Sequence, residues 1–234
     1  MIAGMAKNRL NLATGVFFLM LLLVGPSLAG NNSGAAFSTW PDTGQTKCYD
    51  NSAEIPCSAA GQSFDGQDAQ YNGPARSYTL IGGGSMVQDN VTGLIWEMKD
   101  NLDGTPDYSN PHNADNTYTW CDPDAATNGG NAGTCGDHDT KAFIDQLNSG
   151  SGFGGYTNWR MPTLKELGTL VDLGRINPAI DPIFASTTQS SYWSSTSGPP
   201  SLQAFALRFH FGSGDHDGDV KSMASYVRAV YSGQ

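Results

Sequence analysis

The sequence predicts an α+β domain, rich in loops, with two short helices and a small antiparallel sheet. Three observations lead there. Two stretches, one after Asp139 and one after Thr163, place apolar residues at helical spacing behind good N-capping residues. Later, Ser191 to Thr196, Ala204 to Phe211 and Tyr226 to Tyr231 carry aromatic runs with strand patterning. Gly, Asn, Asp, Ser and Thr fill the intervals, which suits short strands and elaborate loops better than a helical bundle.

The chain opens with Lys7 and Arg9, an apolar run from Val16 to Val24, and Pro26-Ser27-Leu28-Ala29-Gly30. A basic start, a short apolar core and small residues at 27 and 29 read as a secretory signal peptide over 1–29, cut after Ala29. The run is short for a membrane span; a retained N-terminal anchor is the alternative. No cysteine follows it, so a lipoprotein anchor is not indicated. The expected location is secreted, periplasmic or cell-surface. Cleavage leaves 10 basic against 22 acidic residues. That balance argues against nucleic acid and anionic membranes, which need clustered Lys and Arg. It also hinders binding to sulfated polysaccharide.

Cys48, Cys57, Cys121 and Cys135 form two close-spaced pairs. In an exported chain they read as disulfides, Cys48–Cys57 and Cys121–Cys135, among three possible connectivities. Zinc is the alternative, but neither spacing is C-x-x-C and no histidine adjoins either pair. Residues 30–76 read as a lead with turn chemistry and little periodicity, ordered mainly by the first disulfide.

The main domain, 77–234, is expected to open with a hairpin of Ser85 to Asn90 and Gly93 to Met98. An acidic, Asn-rich loop from Asp100 to Asn116 precedes Tyr118-Thr119-Trp120 and the second cysteine loop. Asp139-Thr140 starts a helix whose apolar face is Ala142, Phe143, Ile144 and Leu147. The chain is organised around Asn158-Trp159-Arg160-Met161-Pro162-Thr163-Leu164-Lys165-Glu166-Leu167. Pro162 biases Met161 toward extended geometry, and Thr163 with Glu166 fits a capping box. Leu164, Leu167, Leu170 and Val171 make the helix's apolar stripe. Pro178 and Pro182 exclude a continuing helix. Phe205, Leu207, Phe209 and Phe211 alternate with Ala204, Ala206, Arg208 and His210 in a half-buried strand; Gly212 to Gly218 is expected to turn the chain.

Five stretches in order, Asp89 to Trp96, Tyr118-Thr119-Trp120, Trp159-Arg160-Met161-Pro162-Thr163, Tyr192-Trp193-Ser194-Ser195-Thr196 and Tyr226 to Val230, closely resemble the Lcl C-terminal domain family. That domain was first named from the Legionella collagen-like adhesin. The resemblance runs from about Tyr78 to the C-terminus. Met161 stands where the family commonly has Leu, and Tyr231 where a second Arg is common. It implies an exported bacterial domain of C-type-lectin-like character, related in its Trp-Arg-x-Pro-Thr pattern to the formylglycine-generating fold. In the founding adhesin the domain attaches to host sulfated glycans and supports trimer assembly. No collagen-like Gly-X-Y tract is present here.

Several constellations could carry chemistry. Asp215, Asp217 and Asp219 alternate in a Gly-flanked stretch and could offer oxygens to Ca²⁺, although the EF-hand order is absent. A solvated acidic hairpin tip is the plainer alternative. Asp100, Asp103, Asp107 and His112 of the long loop, with Arg208 and His210, form the candidate ligand-binding set, since carboxylates and amides suit sugar hydroxyls. Ser194, Ser195, His138, His210 and His216 invite a triad, yet no G-x-S-x-G elbow exists. All four cysteines precede Trp159, unlike the arrangement a formylglycine-type oxidase needs. Trp159, Arg160, Pro162, Thr163, Glu166, Trp193 and Arg228 are assigned to structure. Arg160, Arg208 and Arg228 are expected to pair with Glu166, Asp172 or backbone carbonyls. Trp96, Trp120, Trp159 and Trp193 read as mainly core, with one exposed indole able to stack on a sugar. The expected function is non-enzymatic binding of a glycan or a cell-envelope partner. A structural or assembly module is the alternative, and an enzyme of formylglycine-generating-like fold stands third.

Overall fold

The computed structural model describes residues 39–233. The expected signal peptide lies outside them. In the lead, β1 (Cys48–Tyr49) and β2 (Glu54–Ile55) form a two-stranded ribbon closed by the Cys48–Cys57 disulfide. The lead meets the main domain where Leu173 N donates to Thr43 O at 2.7 Å and Arg76 Nη1 to Thr169 O at 2.5 Å.

Next come β3 (Tyr78–Ile81), β4 (Met86–Asp89) and β5 (Ile95–Glu97). The expected hairpin is present, with Val87 opposite Trp96. Asp89 fastens its turn by accepting from Val91 N, Thr92 N and Thr92 Oγ1. Gly93 supplies the φ of 78° that this turn requires. Then follow β6 (Tyr118–Thr119), α1 (Thr140–Leu147), α2 (Leu164–Leu170), β7 (Ser191–Ser197), β8 (Phe205–His210), β9 (Asp215–Val220), β10 (Ala224–Ser225) and β11 (Val230–Tyr231). Antiparallel pairing gives one sheet in the order β11-β5-β4-β3 and another in the order β7-β8-β9, while β10 pairs with β6. The end of the domain therefore completes the sheet that its beginning opens. The architecture is α+β and loop-rich.

The helices are only eight and seven residues long, below the length at which an isolated helix holds in water. Packing holds them. Trp96, Leu167, Leu170, Phe184, Tyr192 and Phe211 form one core cluster; Trp120, Phe143, Leu147, Trp159 and Trp193 anchor the other. Each fully buried large apolar side chain contributes about 1.5–3 kcal/mol, far more than propensity supplies.

Three expectations are corrected. The turn after Phe211 is shorter than Gly212 to Gly218, because Asp215–Val220 pairs along β8 as a strand. The terminal stretch from Tyr226 is not one strand: only Val230–Tyr231 pairs with β5, while Tyr226 bridges to Tyr192. β8 is covered on both faces rather than half-buried: Ala206 is fully buried in one core cluster, while Phe209 packs against the other and Phe211, just past the strand, is fully buried in it. Trp193 covers the face of Ala206 and Arg208, and α2 covers the other, where Phe209 packs at Gly168.

Candidate functional site

Four stretches distant in sequence meet around a groove of about 640 Å³. One wall is the second disulfide loop, from Trp120 to Gly129. A second is the outer face of α1, with Lys141, Ile144 and Asp145. Arg160, Met161 and Thr163 lead into α2 on the third side, and Ser195 to Gly198 at the end of β7 form the fourth.

Two of these walls are made by a single irregularity. Trp193 pairs with Arg208 and Ser197 with Ala206, so β7 takes four steps where β8 takes two. Such a bulge bends a strand and re-aims its side chains. Here Ser194 Oγ donates to Leu207 O at 2.7 Å, and the freed backbone turns toward α2. Ser195 N donates to Pro162 O at 2.7 Å, and Thr196 Oγ1 accepts from Leu164 N at 3.0 Å. The Tyr-Trp-Ser-Ser-Thr stretch thus docks on the start of α2. That start is fixed by the expected capping box: Glu166 N donates to Thr163 Oγ1 and Thr163 N to Glu166 Oε2. Glu166, 1% exposed, also takes both Arg160 terminal nitrogens, at 2.8 and 2.6 Å.

The disulfide loop is tied to the other walls. Thr140 Oγ1 accepts from Cys121 N and donates to Cys121 O, each at 2.9 Å. Gly129 has a φ of 65°, and a Cβ there would lie 2.7 Å from Ser197 Cβ, so only glycine allows this approach. Ile144 and Met161 give the groove an apolar part. Ser195 Oγ has no bonding partner among the described residues. Thr196 and Ser197 serve as acceptors through Oγ, so their hydroxyl protons remain to give. The charges are matched within the protein: Lys141 lies 2.6 Å from Asp145, Arg160 holds Glu166, and Asp122 accepts from Thr127 Oγ1.

Most residues singled out in the sequence lie elsewhere. In the long loop, Asp100 accepts from Asn110 Nδ2, Asp103 from Thr105 N, and Asp107 from Ser109 N and Oγ. Hydrogen bonds from Ser109 hold the Asp107 carboxyl below its usual pKa. These carboxylates order the loop. His112 turns inward, its Nδ1 2.8 Å from Glu97 Oε1, and His210 Nδ1 faces Ser213 Oγ at 3.0 Å.

Asp215, Asp217 and Asp219 lie on a strand, and Arg208 takes two of them, at 2.8 Å from Asp217 and 2.7 Å from Asp219. The guanidinium thus takes an oxygen from each of these two carboxylates. Among the described residues, the group of three possible metal-ligating residues within 4.8 Å of one another is Cys121, Cys135 and Asp139, and the two cysteine sulfurs are joined in the disulfide at 1.99 Å.

Arg160 pairs with Glu166 as expected, and Arg228 donates to the Glu97 carbonyl at 2.6 Å. Asp172 pairs instead with Arg175. The four expected tryptophans are all buried to 2% exposure or less; Trp40, in the lead, is the partly exposed indole at 45%. Sequence reasoning missed Lys141, Thr127, Ser197 and the buried Glu97, Lys99 and Lys221. Only Lys141 had a readable signal, its position four residues before Asp145 on the polar face of a helix.

Compared with known families, residues 85–231 match the Lcl C-terminal domain. The chain belongs to the Lcl C-terminal domain family. Neither the curated proteins nor the solved structures contain a match. All four walls of the groove fall inside the family match, whereas the first disulfide falls outside it. The lining residues of the groove thus all come from the family-matched stretch and none from the lead. Among the described residues, no helix is long and apolar enough to cross a membrane.

Proposed function

We propose that this Lcl C-terminal domain is an exported, non-enzymatic binding module of C-type-lectin-like architecture whose groove takes a glycan. The observation that carries the reading is the free donor set along Ser195, Thr196 and Ser197, facing Lys141 and Asp145 across an apolar part. Hydroxyl donors and mixed charge suit the alternating donors and acceptors of a sugar, and Ile144 and Met161 suit its C–H face. Both groove cations already hold carboxylates. The lining holds two cations, Lys141 and Arg160, and two carboxylates, Asp122 and Asp145, so no cation is left over for a sulfate. Together with the acidic chain, this favours a neutral or amino-bearing glycan over a sulfated one.

The test is an array of neutral, amino-bearing and sulfated glycans probed with the full exported protein, with Ca²⁺ and again with chelator. Binding to non-sulfated glycans, unchanged by chelator and weakened by Ser195→Ala, is the expected result. A blank array would overturn the glycan reading and leave an assembly module of the cell envelope as the reading to pursue.

A further inference from the structure

Lys221 follows β9 and is 2% exposed. Burying an ammonium is costly unless its donors are met, and a counter-ion is the usual means. Here none is used: among the described residues, no carboxylate lies within ion-pair distance of Lys221 Nζ. The three donors go to neutral oxygens instead. Asn128 O lies at 2.8 Å, Asn131 O at 2.7 Å and Ser197 Oγ at 3.3 Å. The Trp120 ring lies beneath at 4.0 Å, where its π face attracts the cation.

These partners belong to different walls of the groove. Asn128 and Asn131 are in the disulfide loop, Ser197 ends β7, and Trp120 begins the loop. The loop contains no helix or strand between Asp122 and Asp139; the Cys121–Cys135 disulfide and the Asp122 N to Ala132 O bond close its base, while Lys221 Nζ holds the Asn128 and Asn131 carbonyls of its rim. We propose that Lys221 is the positioning residue of the groove, one ammonium that fixes the Asn128–Asn131 rim against the bulged end of β7.

The bond count explains why lysine is used. A protonated lysine has three donors for three acceptors; a neutral amine has two, and a hydrophobic side chain none. Burial pulls the Lys221 pKa down, and Asp122, the facing charged group, opposes this. Protonation of Lys221 thus sets whether the rim is fully fastened. The functional meaning rests on the glycan reading, but the fastening can be tested without any ligand.

The experiment is amide hydrogen exchange on the exported protein, expressed as protection factors so that the intrinsic pH effect cancels. The amides to follow are Asp122 N, bonded to Ala132 O, and Asn128 N and Asn131 N within the rim. In Lys221→Met their protection is expected to fall by at least about tenfold while that of α2 and β8 is unchanged; Lys221→Arg should retain part of it. In the wild type, which needs no variant to fold, rim protection should fall selectively as pH rises toward the lowered lysine pKa. Lys221→Met should lack that pH dependence. Unchanged rim protection in Lys221→Met, or a wild-type rim indifferent to pH up to 10.5, the ordinary lysine value, would overturn the assignment. A blank glycan array with the expected exchange result would remove the binding reading and leave the fastening intact.

Discussion

Replacing Glu97 with glutamine should be among the most damaging single-atom-scale changes to this domain. Glu97 is fully buried, and its carboxylate meets Lys99 Nζ at 2.9 Å, His112 Nδ1 at 2.8 Å and Ala229 N at 3.0 Å. Lys99 is itself buried, donating also to Pro111 O and lying over the Phe143 ring. Glutamine keeps an acceptor for Ala229 N but strands the Lys99 charge. Breaking a buried pair from one side costs about 3–5 kcal/mol. For a chain of this size that corresponds to a fall in Tm of roughly 6–20 °C. Urea unfolding of wild type, Glu97→Gln and the double variant Glu97→Gln with Lys99→Met provides the assay. The double variant removes the Lys99 charge and leaves only the buried Arg228, whose charge Glu97 also offsets, so its cost should be lower than that of the single variant without vanishing.

The same pair has a pH signature. Burial alone would raise the Glu97 pKa, but Lys99, His112 and the Ala229 N–H outweigh it and hold the carboxyl below its usual value. A depressed folded pKa adds stability above the unfolded value, near roughly 4.3, and loses it as pH falls through the folded value. Glu97→Gln should therefore be less steeply destabilised by acid than wild type. A cost below about 1 kcal/mol, or an acid limb of unchanged slope, would refute the reasoning.

Other outcomes follow from the same structure. Cys121→Ser with Cys135→Ser should cost about 3 kcal/mol by the loop-entropy estimate, measured by denaturant unfolding, and should loosen the groove rim in hydrogen exchange. Ser195→Ala should leave stability within about 0.5 kcal/mol, since its hydroxyl has no hydrogen-bond partner among the described residues, yet weaken any glycan bound on the array roughly fivefold to tenfold. Asp217→Asn, at a half-exposed carboxylate held below its usual pKa by Arg208, should change stability by less than about 1 kcal/mol. Calorimetric titration of the wild type with Ca²⁺ should give no heat, because Arg208 is already bonded to both Asp217 and Asp219; a Ca²⁺ heat abolished by Asp217→Asn would contradict that.

What could be read in the sequence was local. The capping box of Thr163 and Glu166 is visible because its partners are three residues apart. The Asp89 turn and both disulfides are legible for the same reason, as their ends lie close along the chain. The five ordered stretches also sufficed to name the family, which the match over 85–231 shows. The candidate site was not legible. Asp100, Asp103 and Asp107 looked like ligand groups because acidic loops often are, but their oxygens are taken by amides two to ten residues away. Nothing in their spacing reveals that.

By itself the sequence determined where the helices cap, where the first hairpin turns and which cysteines cross-link, because those effects act between residues close along the chain. Only the tertiary structure decided that β7 bulges, that its serines meet the start of α2, and that Lys221 reaches loop carbonyls 90 and 93 residues away. The physical reason is the same in each case. A buried hydrogen-bonding group must find a partner, and for these groups the partner is supplied by whatever the packing of Trp120, Trp159 and Trp193 brings alongside.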